Sequence, residues 1–231
     1  MKWGKPCSLS RFLIKRWIQR TDRFYGLYHI DQKLESYLPW WSGFYIEAGA
    51  NDGVAQSNTC FLERGRNWRG LLVEPIPELA SLCRANRPHS IVEQCALVGP
   101  GFTGATVPMH YCNLMSVVDG AKQDRNALDA HLTRGAECQG LKTYEVVVPA
   151  RTLTSLCEQH KVEKIDFMSL DVEGYELQAL EGLDLSRYRP LYLLVENGLR
   201  PEIRRILDPF YDAVAVLCCV HDDVLFRAKM P

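Results

Sequence analysis

The stretch Phe44-Tyr45-Ile46-Glu47-Ala48-Gly49-Ala50-Asn51-Asp52-Gly53 decides the reading of the chain. Its first half is a short apolar run ending near an acid, the pattern of a buried strand. Its second half is a turn with glycine at either end, leading toward a helix that starts near Asn58. In a doubly wound sheet this is the crevice where ligands bind. Glycine there lets the backbone approach a ligand closely. Glu47 suits a ligand ammonium, and the turn amides suit a carboxylate. The glycine spacing is G-x-x-x-G. A dinucleotide site needs G-x-G-x-x-G, which brings a pyrophosphate onto a helix N-terminus. Acids at Glu47 and Asp52 would repel a pyrophosphate, so a zwitterionic amino-acid end fits better.

Working outward, apolar runs alternate with helical stretches. Residues 70–74 read as a second strand, 77–86 as a helix opened by Pro77, and 90–97 as a third strand. Residues 98–150 break the rhythm. They hold two strand pieces, 107–111 and 144–148, around a polar stretch at 119–140. We read this as an irregular insertion, a hairpin with a long loop. The alternation then resumes: helix 152–160, strand 165–170, helix 175–183, strand 191–195 and helix 200–207. Residues 211–220 and 224–227 close the chain as a hairpin across three residues. The expected fold is α/β: a doubly wound, mostly parallel seven-stranded sheet with an antiparallel terminal hairpin.

Composition narrows the class. The chain has 231 residues, 47% hydrophobic and 24% charged, as ordinary globular domains do. Its formal net charge is −1, so a basic nucleic-acid footprint over the whole chain is absent. Residues 1–42 differ, with 8 Lys+Arg against 3 Asp+Glu and four of the five tryptophans. We read them as a basic N-terminal helical arm, with a helix at 9–18, before a main domain at 43–231. The arm offers a surface for a lid or for homo-oligomer formation. Nine cysteines, an odd number with no C-x-x-C pair, fit buried free thiols better than disulfides. The six histidines lack zinc-ligand spacing, and no metal ligands are assigned. No run of about 20 apolar residues suits a membrane span. A cytoplasmic location is the expectation.

Three further clusters fall at strand ends. Val73-Glu74-Pro75 places an acid after the second strand, where ribose hydroxyls are commonly held. Asp171-Val172-Glu173-Gly174-Tyr175-Glu176 follows the fourth strand. Its acids also suit a helix start, favoured by the dipole. Glu176 in particular reads as serving that dipole. Val195-Glu196-Asn197-Gly198 follows the fifth strand and reads equally as a turn or as part of the crevice.

Together these residues carry a resemblance. The chain from about Phe44 to Arg227 resembles the FkbM-type family of S-adenosylmethionine-dependent methyltransferases. The likeness rests on 46–53, Ser57-Asn58-Thr59, 68–75, Asn86-Arg87-Pro88 and 171–176. Two departures are Glu47, where the family often has Asp, and Arg151-Thr152-Leu153-Thr154, which lacks an acid common in the family. The resemblance implies a methyltransferase sheet and O-methylation of a sugar, glycan or other hydroxylated small molecule. It also implies that Glu47, Gly49 and Asn51 surround the methionine part of the cofactor, within a turn that includes Ala50 and Gly53. Ser57 and Asn58 would help hold its carboxylate. Glu74 would hold the ribose, and Pro75 and Ile76 would flank the adenine.

Methyl transfer is an in-line displacement at a sulfonium-bound carbon. Alignment can supply about 7–11 kcal/mol and a base about 10²–10⁴-fold. Asp171 is the first candidate base and Glu173 the second. His110, His131 and His221 are alternatives that spacing does not separate. An Asp171, Glu173 and Asn197 set would suit Mg²⁺. His110, Tyr111, Asn113 and Ser116 in the insertion are candidates for acceptor recognition. Competing readings are a degenerate cofactor-binding scaffold and, against the glycine spacing, a nicotinamide-dependent oxidoreductase.

Overall fold

The computed structural model describes residues 23–118, 125–139 and 143–230. The expected helix at 9–18 lies outside them. The strands in chain order are β1 (Phe44–Ala48), β2 (Arg69–Val73), β3 (Ile91–Glu93), β4 (Ala96–Leu97), β5 (Thr106–Tyr111) and β6 (Val117–Val118). They continue with β7 (Tyr144–Arg151), β8 (Phe167–Leu170), β9 (Tyr192–Val195), β10 (Tyr211–Cys218) and β11 (Asp223–Ala228). The α-helices are α1 (Ile30–Leu34), α2 (Cys60–Arg66), α3 (Pro77–Asn86), α4 (Arg125–Gln139), α5 (Leu153–Gln159), α6 (Glu176–Glu181) and α7 (Pro201–Leu207).

Seven strands form the main sheet in the order β10-β11-β9-β8-β1-β2-β3. The neighbours from β3 through β9 pair in parallel. Strand β11 runs antiparallel to both β9 and β10, so the sheet is mixed. Successive strand residues point to opposite faces, and both faces are covered. Ile46, Leu71, Met168 and Leu193 pack against α5, α6 and α7 through Leu153, Leu156, Leu180 and Ile203. Tyr45, Leu72, Phe167 and Leu194 pack on the other side against α1 and α2 through Ile30, Leu34 and Phe61. This double burial explains why the central strands read as continuous apolar runs rather than alternating ones. The last part of the basic segment is thus core: Ile30, Leu34 and Leu38 are buried, and Trp68 Nε1 donates to the Trp40 carbonyl at 3.1 Å.

Two expectations need correction. The single strand at 90–97 is two strands in two sheets. The chain turns out of the main sheet after Glu93, where Gln94 Nε2 donates to the Pro75 carbonyl at 3.0 Å. Ala96 and Leu97 then pair with Ala150 and Arg151. The strand pieces expected at 107–111 and 144–148 do pair as an antiparallel hairpin, but the insertion around them is more regular than expected. It builds a second sheet, β4-β7-β5-β6, with β5 and β7 antiparallel over six residue pairs. Part of the polar stretch between them is the helix α4.

The site is set by sheet order. From β1 the chain crosses to β2 on one side, and β8 lies on the other. That is a topological switch point, where ligand crevices open at the carboxyl ends of the strands.

Candidate active site

The ends of β1, β2, β8 and β9 open onto a cavity of about 340 Å³. Gly49, Asn51, Ser57, Asn58, Glu74 and Pro75 form one wall. Asp171, Glu173, Glu196, His221 and Asp223 face them. The second sheet and its connections add Met109, Asn113, Met115, Ser116 and Val118, and the N-terminal stretch adds Leu27 and Tyr28.

Gly49 turns the chain out of β1 at φ +86°. A Cβ there would lie 1.8 Å from the Asp171 carbonyl oxygen. Glycine is therefore demanded by the neighbouring strand end, as well as by any ligand above it. Asn51 follows, also at positive φ, which asparagine tolerates. Its backbone N–H donates to Glu74 Oε2 at 2.8 Å, and its Nδ2 donates to Asn113 Oδ1 at 3.1 Å. The second contact ties the turn to the insertion.

Glu74 is buried in the cavity wall. Its other oxygen accepts from the Ile76 N–H at 2.9 Å. Burial pushes its carboxyl up to about 7, against the pull of those two N–H groups and with a small push from Asp52. Asp52 itself is spent locally, since its Oδ1 accepts from the N–H groups of Val54 and Ala55.

Glu47 goes elsewhere than a ligand. It is buried and absent from the cavity wall. Its Oε1 accepts from the Asn58 N–H at 2.7 Å, and its Oε2 accepts from Thr59 Oγ1 at 2.7 Å and Ser57 Oγ at 2.8 Å. Arg87 Nη1 stands 3.5 Å from the same Oε2. The fully buried Arg87 also donates to Glu63 at 2.9 Å, to the Gly53 carbonyl at 2.8 Å and to Thr59 Oγ1 at 2.9 Å. Burial alone would raise the Glu63 carboxyl; Arg87, Ser90 and Tyr45 outweigh it and hold it low. Glu47 thus builds the turn at 57–59, and both its carboxylate oxygens are bonded there. Ala50, Gly53 and Ile76 likewise lie behind the wall: Ala50 donates its N–H to the Val73 carbonyl at 3.1 Å, and Ile76 is fully buried.

Ser57 reaches the cavity, but its hydroxyl is committed to Glu47, and its oxygen accepts from the Cys60 N–H at 3.0 Å. Asn58 differs. Its Nδ2 donates to Ser169 Oγ at 3.2 Å, while its buried Oδ1 has no partner. In this amide orientation the oxygen is shut off from the open cavity, and among the described residues nothing donates to it.

Across the cavity the acids crowd together. Asp171 is open to the cavity. Enclosure by the wall, then the charges of Glu176 and Asp223, hold its carboxyl well above the usual range, while a hydrogen bond with Glu196 and the Glu173 N–H oppose this. Glu196 is raised by burial and by Asp171, Glu173, Glu176 and Asp223. Glu173 reaches the cavity at φ +58°, with His131 Nε2 3.8 Å from its carboxylate. Asn197 is not in the wall, and its Nδ2 donates to Glu196 at 3.2 Å. Of the three histidines named from sequence, only His221 lines the cavity, its Nδ1 3.4 Å from Glu196. His110 and Tyr111 fall outside the lining, whereas Asn113 and Ser116 belong to it.

Sequence reasoning missed Glu176 and Asp223. Glu176 is fully buried beside Asp171, and Asp223 opens β11 in the cavity wall. The signal for Glu176 was its place five residues after Asp171; the signal for Asp223 was non-local. No Lys or Arg belongs to the cavity wall among the described residues. The chamber is acidic and suits a cationic ligand.

The Methyltransferase FkbM domain matches residues 47–217. Among solved structures, the chain is similar to an O-methyltransferase from Bacillus cereus in complex with SAH, at 15% identity and TM-score 0.48, covering 98% of this chain and 92% of that one. It is similar also to a methyltransferase from Geobacter sulfurreducens, at 10% identity and TM-score 0.49, covering 99% and 91%. A TehB-like SAM-dependent methyltransferase from Corynebacterium glutamicum matches at 9% identity and TM-score 0.46, covering 96% and 99%. No curated protein matches the chain significantly. The family match spans about three quarters of the sequence and contains both the glycine turn and the acids after β8, so the chain belongs to the FkbM family of S-adenosylmethionine-dependent methyltransferases.

Proposed function

We propose that the chain is an O-methyltransferase that acts on a hydroxyl of a sugar, glycan or other hydroxylated small molecule. One observation carries the reading: a single acidic cavity has the Gly49–Asn51 turn and Glu74 on one wall and Asp171 on the other. S-adenosylmethionine, when bound, supplies an electrophilic methyl group on a sulfonium leaving group. The wall fits that cofactor in three respects. The buried Glu74 carboxylate is an acceptor for ribose hydroxyls. The Asn51 and Gly49 turn lies beside Asn58 in the lining, where the amino-acid end would sit. A wall that holds no Lys or Arg among the described residues favours a ligand carrying sulfonium and ammonium charges. Gly49 keeps the turn close to the strand ends, Pro75 borders the adenine side, and Glu47 positions Ser57 and Asn58 from behind.

The protein's own task is alignment and proton removal. Asp171 faces the cavity from the end of β8 and is the base for the acceptor hydroxyl. Its raised carboxyl lies nearer neutrality than an ordinary Asp at about 3.9, so proton uptake from a reacting hydroxyl is less uphill. His221 and Glu173 border the same space. Asn113, Met115 and Ser116 bring the insertion into the same cavity, which supports reading it as the acceptor-recognition element. Leu27, Tyr28 and Met109 add apolar lining to the same cavity.

The test is transfer of labelled methyl from the cofactor to a panel of glycosides and simple alcohols. Wild type should label at least one hydroxyl. Asp171→Asn should lose about 10²-fold or more in turnover while remaining folded and binding S-adenosylhomocysteine. Full turnover in that variant removes Asp171 from the chemistry. Cofactor binding without turnover on any hydroxylated acceptor favours the scaffold reading.

A further inference from the structure

The acidic wall holds a feature that the cofactor does not explain. Asp171 after β8, Glu176 in α6 and Glu196 after β9 each offer one carboxylate oxygen, and the three atoms lie within 4.8 Å of one another. Oxygen ligands at about 2.1 Å from Mg²⁺ or about 2.4 Å from Ca²⁺ span about 4.2–4.8 Å when they sit opposite each other. The separation therefore fits three ligands around one ion.

Glu176 supplies a second, independent observation. Its side chain is fully buried. Its Oε1 accepts from the N–H groups of Gly174 at 2.8 Å and Val172 at 3.2 Å, which fixes the carboxylate. Its Oε2 has no hydrogen-bond partner among the described residues. A buried carboxylate oxygen left without a donor is costly. The same cluster is crowded with negative charge: Asp171, Glu173, Glu176 and Asp223 all act on Glu196, and His221 Nδ1 is the cationic candidate among the described residues, 3.4 Å from Glu196. A hard divalent cation would satisfy the orphan oxygen and relieve the repulsion together.

We propose that Asp171, Glu176 and Glu196 form a binding site for one hard divalent cation of the Mg²⁺ or Mn²⁺ class. The ligand set differs from the Asp171, Glu173 and Asn197 set expected from sequence. The Asn197 amide is turned onto Glu196, and Glu173 lies beside His131. Asp171 and Glu196 follow directly on two paired strands and Glu176 opens α6, and the exposed side of Asp171 leaves coordination positions facing the cavity. An acceptor hydroxyl bound there would be a stronger acid, and Asp171 would hold the ion through one carboxylate oxygen and take the proton on the other.

The experiment is a titration of the full-length chain with Mn²⁺ alone, without cofactor, followed by the electron paramagnetic resonance signal of the free ion. The inference predicts one ion per chain, displaced by Mg²⁺, and at least about tenfold weaker binding in Glu176→Gln and in Glu196→Gln. Glu176→Gln keeps an oxygen for the Val172 and Gly174 N–H groups, and circular dichroism reports whether it folds. Should it not fold, Glu196→Gln carries the test, since that side chain is only partly buried. Absence of stoichiometric Mn²⁺ binding overturns the inference, as does binding unchanged in the folded variants. S-adenosylhomocysteine binding is read separately, so a failed cation site leaves the methyl-transfer reading standing and the converse also holds.

Discussion

Gly49→Ala should damage both the fold and the cofactor wall, and its cost follows from the geometry. At φ +86° an alanine pays about 1–2 kcal/mol for the left-handed region. The new Cβ would sit 1.8 Å from the Asp171 carbonyl oxygen, far inside contact distance, so one strand end must move. That movement strains two backbone hydrogen bonds, Asp171 N–H to Ala48 at 3.2 Å and Gly49 N–H to Val73 at 3.0 Å, worth about 1 kcal/mol each. The total is about 3–4 kcal/mol. At about 2–4 °C per kcal/mol for a chain of this size, the melting temperature should fall by roughly 6–16 °C. S-adenosylhomocysteine affinity should drop with it, because Asn51, Glu74 and Asp171 all hang on this turn. Gly65→Ala is the control: nothing lies within 4 Å of its Cβ, and it sits in α2, where alanine is favoured by about 0.5–1 kcal/mol. Scanning calorimetry and a binding titration on both variants decide the matter. A Gly49→Ala protein that melts and binds like wild type refutes the argument.

Glu74 gives a pH signature. Its folded value of about 7 exceeds the ordinary 4.5, so its contribution to stability is fully present below about 4.5 and is lost as pH rises through about 7. Relative to Glu74→Gln, the ligand-free wild type should lose about 3 kcal/mol across that window in urea titrations. S-adenosylhomocysteine affinity should run the other way, rising with pH through 7 in wild type and staying flat in Glu74→Gln, because the ionised carboxylate is the better acceptor for ribose hydroxyls. Arg87→Met should cost about 3–5 kcal/mol by stranding Glu47 and Glu63, and adding Glu63→Gln should recover part of that loss in the same titrations. Equal stability of Arg87→Met and wild type would show that the network behind the turn at 57–59 carries no weight.

The legibility of the chain follows the range of the interactions. The strands β1, β2, β8 and β9 were readable because burial on both faces writes itself locally as an apolar run. The terminal hairpin was readable from its short connection. Sheet membership after Glu93 was not, since it depends on Ala96 and Leu97 meeting Ala150 and Arg151 across more than fifty residues of chain. The pairing of His110 with Glu145, which organises the insertion, is equally non-local. Helix α4 hides because its composition is polar, with no clear apolar stripe. At the site, residue types were legible and their directions were not. Glu47 stands where a ligand-binding acid was expected, but its carboxylate is claimed by Ser57, Asn58 and Thr59, with Arg87 behind. Glu176 does cap nearby N–H groups, as a helix-start acid would; that its second oxygen is left bare beside Asp171 and Glu196 required coordinates.

The central claim is that the cavity holds S-adenosylmethionine through Glu74 and the Gly49–Asn51 turn. Calorimetric titration of wild type and Glu74→Ala with S-adenosylhomocysteine, and of wild type with NAD⁺, tests it most directly. The account predicts one site for S-adenosylhomocysteine, and at 100 times Kd a gain of about 2.7 kcal/mol, or roughly 5–11 °C in Tm. It also predicts a marked loss of affinity in Glu74→Ala and no heat with NAD⁺. Undiminished binding to Glu74→Ala, or binding of NAD⁺ in place of S-adenosylhomocysteine, would contradict it.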